Sequence, residues 1–336
     1  MPEMEESMSV PRLTVLIPVY NGENYLRETI ESVLAQSYPA TEVLVINDGS
    51  TDQTSAIARS FGNRIRLIEQ RNAGVSGARN LGIALASTEW IALMDHDDLW
   101  EVNHLENLTK AIAGHPRADL CYTGRRHLVT HPETGLFLRG DVVNVARESD
   151  IGTVLQERCP FMPSSVAIRR SSVMDIGGFD GRHSNGQDWD LWLRLFYHGA
   201  QFVHWPEPTL LYRVHPESRT NRPLTALNHY KNVVEQNIIP RLPFIQRITH
   251  GPLVISRLEG EASLLLRQNG MPGAIPLMLR SIARHPFHDI RRYRIVSHML
   301  LRGYPRNEAP ISGSNAMTSS DLTLSSNHGK VRSANP

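Results

Sequence analysis

Residues 95–98 read Asp95, His96, Asp97, Asp98 and follow the apolar run 90–94 directly. Alternate residues of an extended segment share a face, so Asp95 and Asp97 present two carboxylates toward one point. A hard divalent cation such as Mg2+ or Mn2+ takes one or two protein carboxylates and completes its shell with water and phosphate oxygens. Acidic triplets also occur as solvated loops, and Asp98 ahead of the helical pattern 99–112 equally suits the positive end of a helix. A second carboxylate, Asp48, follows the apolar run 42–46. Beyond a strand, such a group can accept hydrogen bonds from ribose hydroxyls or from a base N–H. The same DGSTD segment, 48–52, also fits a turn followed by a helix cap.

These residues need elements to position them. LTVLIPVY at 13–20 is short, apolar and rich in β-branched residues, the composition of a buried strand. Asn24 then precedes Leu26, Ile30, Val33 and Leu34, whose spacing predicts an amphipathic helix ending before Pro39. The alternation continues with strands at 42–46, 65–69 and 90–94 and helices at 54–60 and 74–87. It predicts a parallel sheet covered by helices. In open sheets of this kind ligands bind beyond the carboxyl ends of the strands. Pro18, Tyr20 and Asn21 end the first strand, Asn47, Asp48 and Gly49 the second, and the 95–98 acids the fourth, so three strand ends converge on one rim.

Composition excludes several classes. Of 336 residues, 35 are Lys or Arg and 34 Asp or Glu, so there is no overall basic field to draw the chain onto nucleic acid. Cys121 and Cys159 make neither a CxxC pair nor a disulfide framework, which fits a reducing cytoplasm. Cys121, His127 and His131 have none of the usual zinc spacings. Residues 1–10 lack the basic flank and apolar run of a secretory leader, and no stretch approaches the roughly 20 apolar residues of a bilayer span. Any membrane contact is therefore expected to be peripheral. A nicotinamide-dependent oxidoreductase would need GxGxxG directly after the first strand, where this chain has PVYNGENYL, and there is no GxxxxGK[ST] loop.

Taken with LTVLIPVYNGENYLRETIESVLAQSYPATEVLVINDGSTDQT, the stretches QRNAGVSGARNLGI, LMDHDD, NGQDWDLWLRL and YRVHPES resemble the family 2 glycosyltransferases with the GT-A fold. The likeness spans about residues 13–218. It implies an α/β, Rossmann-like, mainly parallel central sheet flanked by helices. It also implies inverting transfer of a sugar from a nucleotide-diphosphate sugar, a UDP-hexose by default, to an acceptor hydroxyl. Mn2+ or Mg2+ is the implied cofactor. A glycan or lipid-linked acceptor in surface polysaccharide or glycolipid assembly, at the cytoplasmic face, is the implied setting.

Carried over by position, Pro18, Tyr20 and Asp48 would hold base and ribose, Arg79 would contact the donor, Asp95 would touch ribose and Asp97 would bind the metal. Asp98 is then a support and His96 a spacer. Single displacement needs one carboxylate to take the acceptor's proton, and Asp188 matches that base. Similar sequences commonly have Glu-Asp where this chain has Gln187 and Asp188. Loss of the neighbouring charge lets Asp188 ionise more easily, while the Gln187 amide can still hydrogen-bond an acceptor. Gln187 and Trp189 are thus placed on the acceptor side. Asp188 also suits a helix cap ahead of Leu191, Trp192 and Leu195. His215 matches a metal or diphosphate contact, with Arg213 assisting the phosphates. A noncatalytic sugar-nucleotide-binding or scaffold protein of the same fold is the alternative.

The division expected is a flexible N-terminus at 1–11, a catalytic domain at 12–218, a helical region at 219–305 and a disordered tail at 306–336. Helical spacing appears at 224–239, 253–269, 274–284 and 290–302. Arg280, Arg284, Arg291, Arg292, Arg294, Arg302 and Arg306 face the single acid Asp289, with Phe287 and Tyr293 interspersed, a pattern suited either to an anionic membrane surface or to solvated packing.

Overall fold

The computed structural model describes residues 10–130, 137–143, 148–183, 185–214, 223–287 and 289–302. His215, the segment 1–9 and the tail from 303 lie outside the described residues. The first half of the chain folds as β1 (Leu13–Val19), α1 (Leu26–Leu34), β2 (Glu42–Asn47), α2 (Thr54–Arg59), β3 (Arg66–Glu69), α3 (Gly74–Leu85), β4 (Trp90–Leu93), β5 (Leu99–Trp100) and α4 (His104–Gly114). The second half adds β6 (Leu120–Thr130), β7 (Phe137–Val143), α5 (Ile151–Leu155), β8 (Val166–Arg169), α6 (Arg170–Asp175), α7 (Gln187–Tyr197) and β9 (Phe202–Arg213). Four helices follow: α8 (Pro223–Val233), α9 (Phe244–Gln268), α10 (Ala274–Arg284) and α11 (Arg291–Arg302).

The strands form one sheet in the order β3-β2-β1-β4-β8-β6-β9-β5, with β7 on the free side of β6. The alternation legible in the sequence gives the parallel group β3-β2-β1-β4. Beyond β4 the sheet is mixed: β8 runs antiparallel to both β4 and β6, while β6 and β9 are parallel. Strand periodicity sends Leu13, Val15, Ile17 and Val19 to one face, where they meet Leu26, Ile30 and Val33 of α1 and Leu105 and Leu108 of α4. Leu16, Leu44, Ile46, Ile91 and Leu93 face the other way, into a core shared with Ile83, Trp189, Trp192 and the helices after β9. Gly82 lets α3 approach β1, since a Cβ there would lie 2.1 Å from Leu16 Cδ1.

Helix α9 starts earlier than its spacing suggests and carries Pro252 inside it. A proline there removes one backbone donor, yet the helix continues, with Phe244, Ile245 and Ile248 of its first turns exposed. Glu259 of α9 is fully buried between Lys231 at 3.3 Å and Arg284 at 3.1 Å, which clamps α8, α9 and α10 together. Arg292 is buried and donates to Ser256 Oγ at 2.8 Å and to the carbonyl oxygens of Ser281 and His285. Arg291 pairs with Asp289 at 2.9 Å. Of the arginines that read as a basic surface, Arg292 is therefore buried and Arg284 is tied to buried Glu259, while Arg280, Arg291 and Arg294 are exposed, Arg291 in its pair with Asp289. Among the described residues no helix is long and apolar enough to cross a membrane.

Candidate active site

The ends of β1, β2 and β4 do converge. Asp48 N donates to the Val19 carbonyl at 2.8 Å, joining the first two strand ends. Asp48 itself is only 3% exposed, and its Oδ1 accepts from Gln70 Nε2 at 2.6 Å and from Ala73 N at 2.8 Å. The carboxylate thus fixes the 70–73 turn that leads into α3. The turn reading of DGSTD holds beside it: Asp52 Oδ1 accepts from Thr54 N at 3.0 Å, and Thr54 Oγ1 accepts from Gly22 N at 2.8 Å. Asn21, left-handed at φ 51, reaches across so that its Oδ1 accepts from Thr51 N at 2.9 Å. Pro18 is buried within β1, while Tyr20 stands 43% exposed at the rim.

The acidic segment is braced from several elements. Thr29 of α1 donates its hydroxyl to the carbonyls of His96, at 2.8 Å, and Asp98, at 2.9 Å. Ser164, which no motif singles out, donates to Asp98 Oδ2 at 2.6 Å and accepts from Asp95 N at 3.0 Å. Arg213, expected among the phosphates, is instead 2% exposed. Its N–H donates to Asp98 Oδ1 at 3.1 Å, its Nε to the Asp97 carbonyl at 2.8 Å, and its Nη2 pairs with Glu28 at 2.7 Å. It is a strut beneath the acids, because β9 points it inward against the Tyr25 ring, 5.0 Å from the guanidinium carbon.

Burial first, then the charges of Asp97 and Asp95, hold the Asp98 carboxyl well above the usual carboxylate range. The Asp98 carboxyl is the buried floor of this acidic site. Asp95 and Asp97 are partly exposed at its mouth, and carboxylate oxygens are what Mn2+ and Mg2+ take. The donor set therefore fits a divalent metal, with Asp97 as the group that would hold it and Asp98 as support, while Asp95 is paired with Arg79. Such a cation supplies positive charge where a diphosphate leaves.

Arg79, at 2% exposure, pairs with Asp95 Oδ1 at 2.5 Å and lies over the Phe179 ring at 5.1 Å. Its Nε and Nη1 have no hydrogen-bond partner among the described residues. Asp188 stands at the start of α7, after Gly186 in the left-handed conformation (φ 75), and its Oδ1 accepts from Trp189 N at 2.9 Å. Burial raises the Asp188 carboxyl above its ordinary value; the Trp189 N–H and then Arg79 oppose the rise, and Asp95 adds to it. Asp188, Arg79 and Asp95 thus act on one another across the cleft. The Cys159 thiol lies 3.8 Å from Asp188 Oδ2, and burial pushes its ionisation well up, so it stays protonated as a donor.

Gln187 is buried, and its Oε1 has no hydrogen-bond partner. Trp189, by contrast, is 1% exposed, with its indole N–H bonded to the Leu155 carbonyl at 2.7 Å. It packs edge-on against Tyr230 and supports the start of α7 from within the core. Asp180, His183 and Asp190 bring candidate ligand atoms within 4.8 Å of one another, a group not read from the sequence. Asp180 is already paired with Arg182, and Asp190 with Arg194 and with Asn237 Nδ2 at 2.8 Å.

A curled, mixed α/β sheet flanked by helices, with further helices after it, is the GT-A fold of glycosyltransferases. Residues 14–177 match Glycosyl transferase family 2, and the chain belongs to that family. An uncharacterized glycosyltransferase of Rickettsia typhi is 32% identical over 68% of this chain and 72% of its own. One of Rickettsia prowazekii is 30% identical over 80% of this chain and 83% of its own. Among solved structures, the Pyrobaculum calidifontis mannosyltransferase in complex with GDP-Man and Mn2+ aligns with TM-score 0.55 and 19% identity, covering 86% of this chain and 85% of that one. S. aureus TarS 1-349 in complex with UDP-GlcNAc aligns with TM-score 0.53 and 16% identity, covering 90% and 99%. At these identities the structural likeness is one of fold.

Proposed function

We propose that this glycosyltransferase moves a hexose from a nucleoside diphosphate, UDP by default, to an acceptor hydroxyl by metal-assisted single displacement with inversion. The observation that carries the reading is the placement of Asp188: a carboxylate at a helix start, within electrostatic reach of the Arg79–Asp95 pair and held by the Trp189 N–H at 2.9 Å on one oxygen, with only the weak Cys159 thiol, 3.8 Å away, on the other. In this reading Pro18, Tyr20 and Asp48 line the nucleotide end, with Asp48 shaping the 70–73 turn. Arg79 orients Asp95 toward the ribose, and Asp97 holds the metal with His215. Asp188 accepts the acceptor's proton as the anomeric carbon–phosphate oxygen bond breaks and the new glycosidic bond forms, and Gln187 offers its open amide oxygen to the acceptor.

Residues 12–218 form the catalytic unit of this proposal, and 219–305 buttress it. Cytoplasmic assembly of a surface polysaccharide or glycolipid is the setting that goes with it, and exposed Phe287, Ile290, Arg280 and Arg294 are the groups available for peripheral contact with a membrane.

The test is thermal unfolding with UDP, GDP, dTDP, CDP and NAD in turn, each with and without Mn2+, on the wild type and Asp97→Ala. A ligand at about 100 times Kd stabilises by roughly 2.7 kcal/mol, readily measured without knowing the acceptor. One diphosphate is expected to stabilise only with the metal and to lose its effect in Asp97→Ala. Stabilisation by NAD alone, or by nothing, would overturn the transferase reading.

A further inference from the structure

The chain after α6 and the first turn of α7 meet at three side chains that the proposed transfer does not use. Asp180, His183 and Asp190 bring one ligand atom each within 4.8 Å of the others. His183 Nε2 lies 4.0 Å from Asp180 Oδ2 and 3.8 Å from Asp190 Oδ1, too far for a hydrogen bond to either. The His183 side chain is 2% exposed, and among the described residues its Nε2 has no hydrogen-bond partner. A ring nitrogen buried between two carboxylates without touching them is costly unless something occupies the space between.

The carboxylates are held as metal ligands are held. Arg194 Nε donates to Asp190 Oδ2 at 2.8 Å and the same guanidinium is fixed on the carbonyls of Ile176 and Gly178. Asn237 Nδ2 donates to Asp190 Oδ1 at 2.8 Å, and a carboxylate oxygen keeps a second lone pair beside one such bond. Hydrogen bonds of this kind orient ligand oxygens from outside. Asp180 is bound by Arg182, but the Arg182 side chain is 77% exposed, so that pair is screened by water and yields to a divalent charge. Ligands about 2.1 Å from zinc at tetrahedral angles stand about 3.4 Å apart, so a closure of about half an ångström brings the three onto one ion, with a water as the fourth ligand.

We infer that Asp180, His183 and Asp190 form a second metal site, one that takes Zn2+ and is separate from the acids at 95–98. An imidazole with carboxylates suits zinc, whereas carboxylates alone suit Mg2+ or Mn2+. The position is that of a clamp: the Asp180 carbonyl accepts from Ser76 of α3 at 3.3 Å, and Asp190 follows Asp188 by two residues. The ion ties α3, which carries Arg79, to the start of α7, and it does so whether or not Asp188 is a base.

The full chain, stripped with EDTA, is dialysed without nucleotide against Zn2+ buffered by nitrilotriacetate, and its metal content is measured by mass spectrometry beside its melting temperature. Wild type and Asp97→Ala are both expected to retain one zinc ion per chain and to melt higher with it than without. His183→Phe and Asp180→Asn should retain none and show no zinc-dependent rise; Asp180→Asn, at a partly exposed position, carries the test if His183→Phe does not fold. A wild type that retains no zinc, or a folded His183→Phe or Asp180→Asn that still retains it, overturns the inference. Zinc lost from Asp97→Ala places the only zinc site at the acids 95–98 and overturns it likewise.

Discussion

The two halves of the cleft are built differently. On the proposed donor side, Asp48 and the acids 95–98 follow β2 and β4, the parallel strands that flank β1, and much of what holds them comes from neighbouring turns and helices. On the acceptor side, Asp188 begins a helix whose position depends on distant chain. Asn237 bonds Asp190 at 2.8 Å, Tyr230 packs against Trp189, and Arg257 of α9 pairs with Glu157 at 2.8 Å, two residues before Cys159. A strand end is a rigid place to put a ligand group, whereas a helix start propped by later helices can be re-aimed by changes far from the chemistry. In the proposed reading, the donor side is therefore where a shared chemistry resides, and the acceptor side is where specificity can diverge.

The largest effect expected from this contrast is on Asp188→Asn. The amide cannot accept the acceptor's proton, so transfer should fall by about 10²–10⁴-fold, while the UDP and metal-dependent thermal shift persists. Steady-state rates beside the shift separate the two. A loss of both together would mean that the start of α7 also shapes the donor side, and the contrast would fail.

Packing on the donor side offers the next break. Gly82→Val places side-chain atoms where a Cβ alone comes within 2.1 Å of Leu16 Cδ1, and Leu16 is fully buried. Overpacking should cost about 3 kcal/mol in denaturant unfolding and weaken donor binding by moving α3, which carries Arg79. A smaller loss is expected from Ser164→Ala, which strips one donor from the buried Asp98 carboxylate and leaves the Asp95 N–H without its acceptor. About 1–3 kcal/mol of stability should go, with KM for the donor rising more than kcat falls. An unchanged KM would show that the segment 95–98 is held well enough by Thr29 and Arg213.

The same contrast explains what was legible in the sequence. The run 13–20 and the stripe from Leu26 to Leu34 are local patterns, and each became the element its period implies, whereas the acids after 90–94 form a turn, with Asp98 N donating to the Asp95 carbonyl at 3.3 Å, and not the extended segment their alternation suggested. The antiparallel joint of β8 was not legible, because pairing between β4 and β8 joins residues far apart in the chain and leaves no local period. Ser164 escaped notice, and Cys159 was read only as an unpaired cysteine, for the same reason: a single serine or cysteine carries no signal until the fold sets it beside Asp98 or Asp188. Arg213 was misread because a motif gives position along the chain, not the direction in which a strand points its side chains. Trp189 was placed on the acceptor side with Gln187, but helical geometry turns it into the core.

Coupling between the halves should be smallest and most informative in pH dependence. Asp188 must be ionised to act as a base, and its folded-state carboxyl is raised, first by burial. Turnover at saturating donor and metal should therefore fall as the pH drops through a value above that of an ordinary aspartate, and recover as it rises. Arg79 favours the charged form of Asp188, so in Arg79→Met the proton is held more tightly and the limb should move to higher pH; Arg79→Lys should bring it part of the way back. Arg79 also neutralises Asp95 in the 2.5 Å pair, and freeing that carboxylate adds a second negative charge facing Asp188, which pushes the limb in the same direction. A limb that stays in place while donor affinity falls would mean that the two sides of the cleft are electrostatically independent. Asp188 would then answer only to the helices that prop it, and the contrast between the halves would be complete.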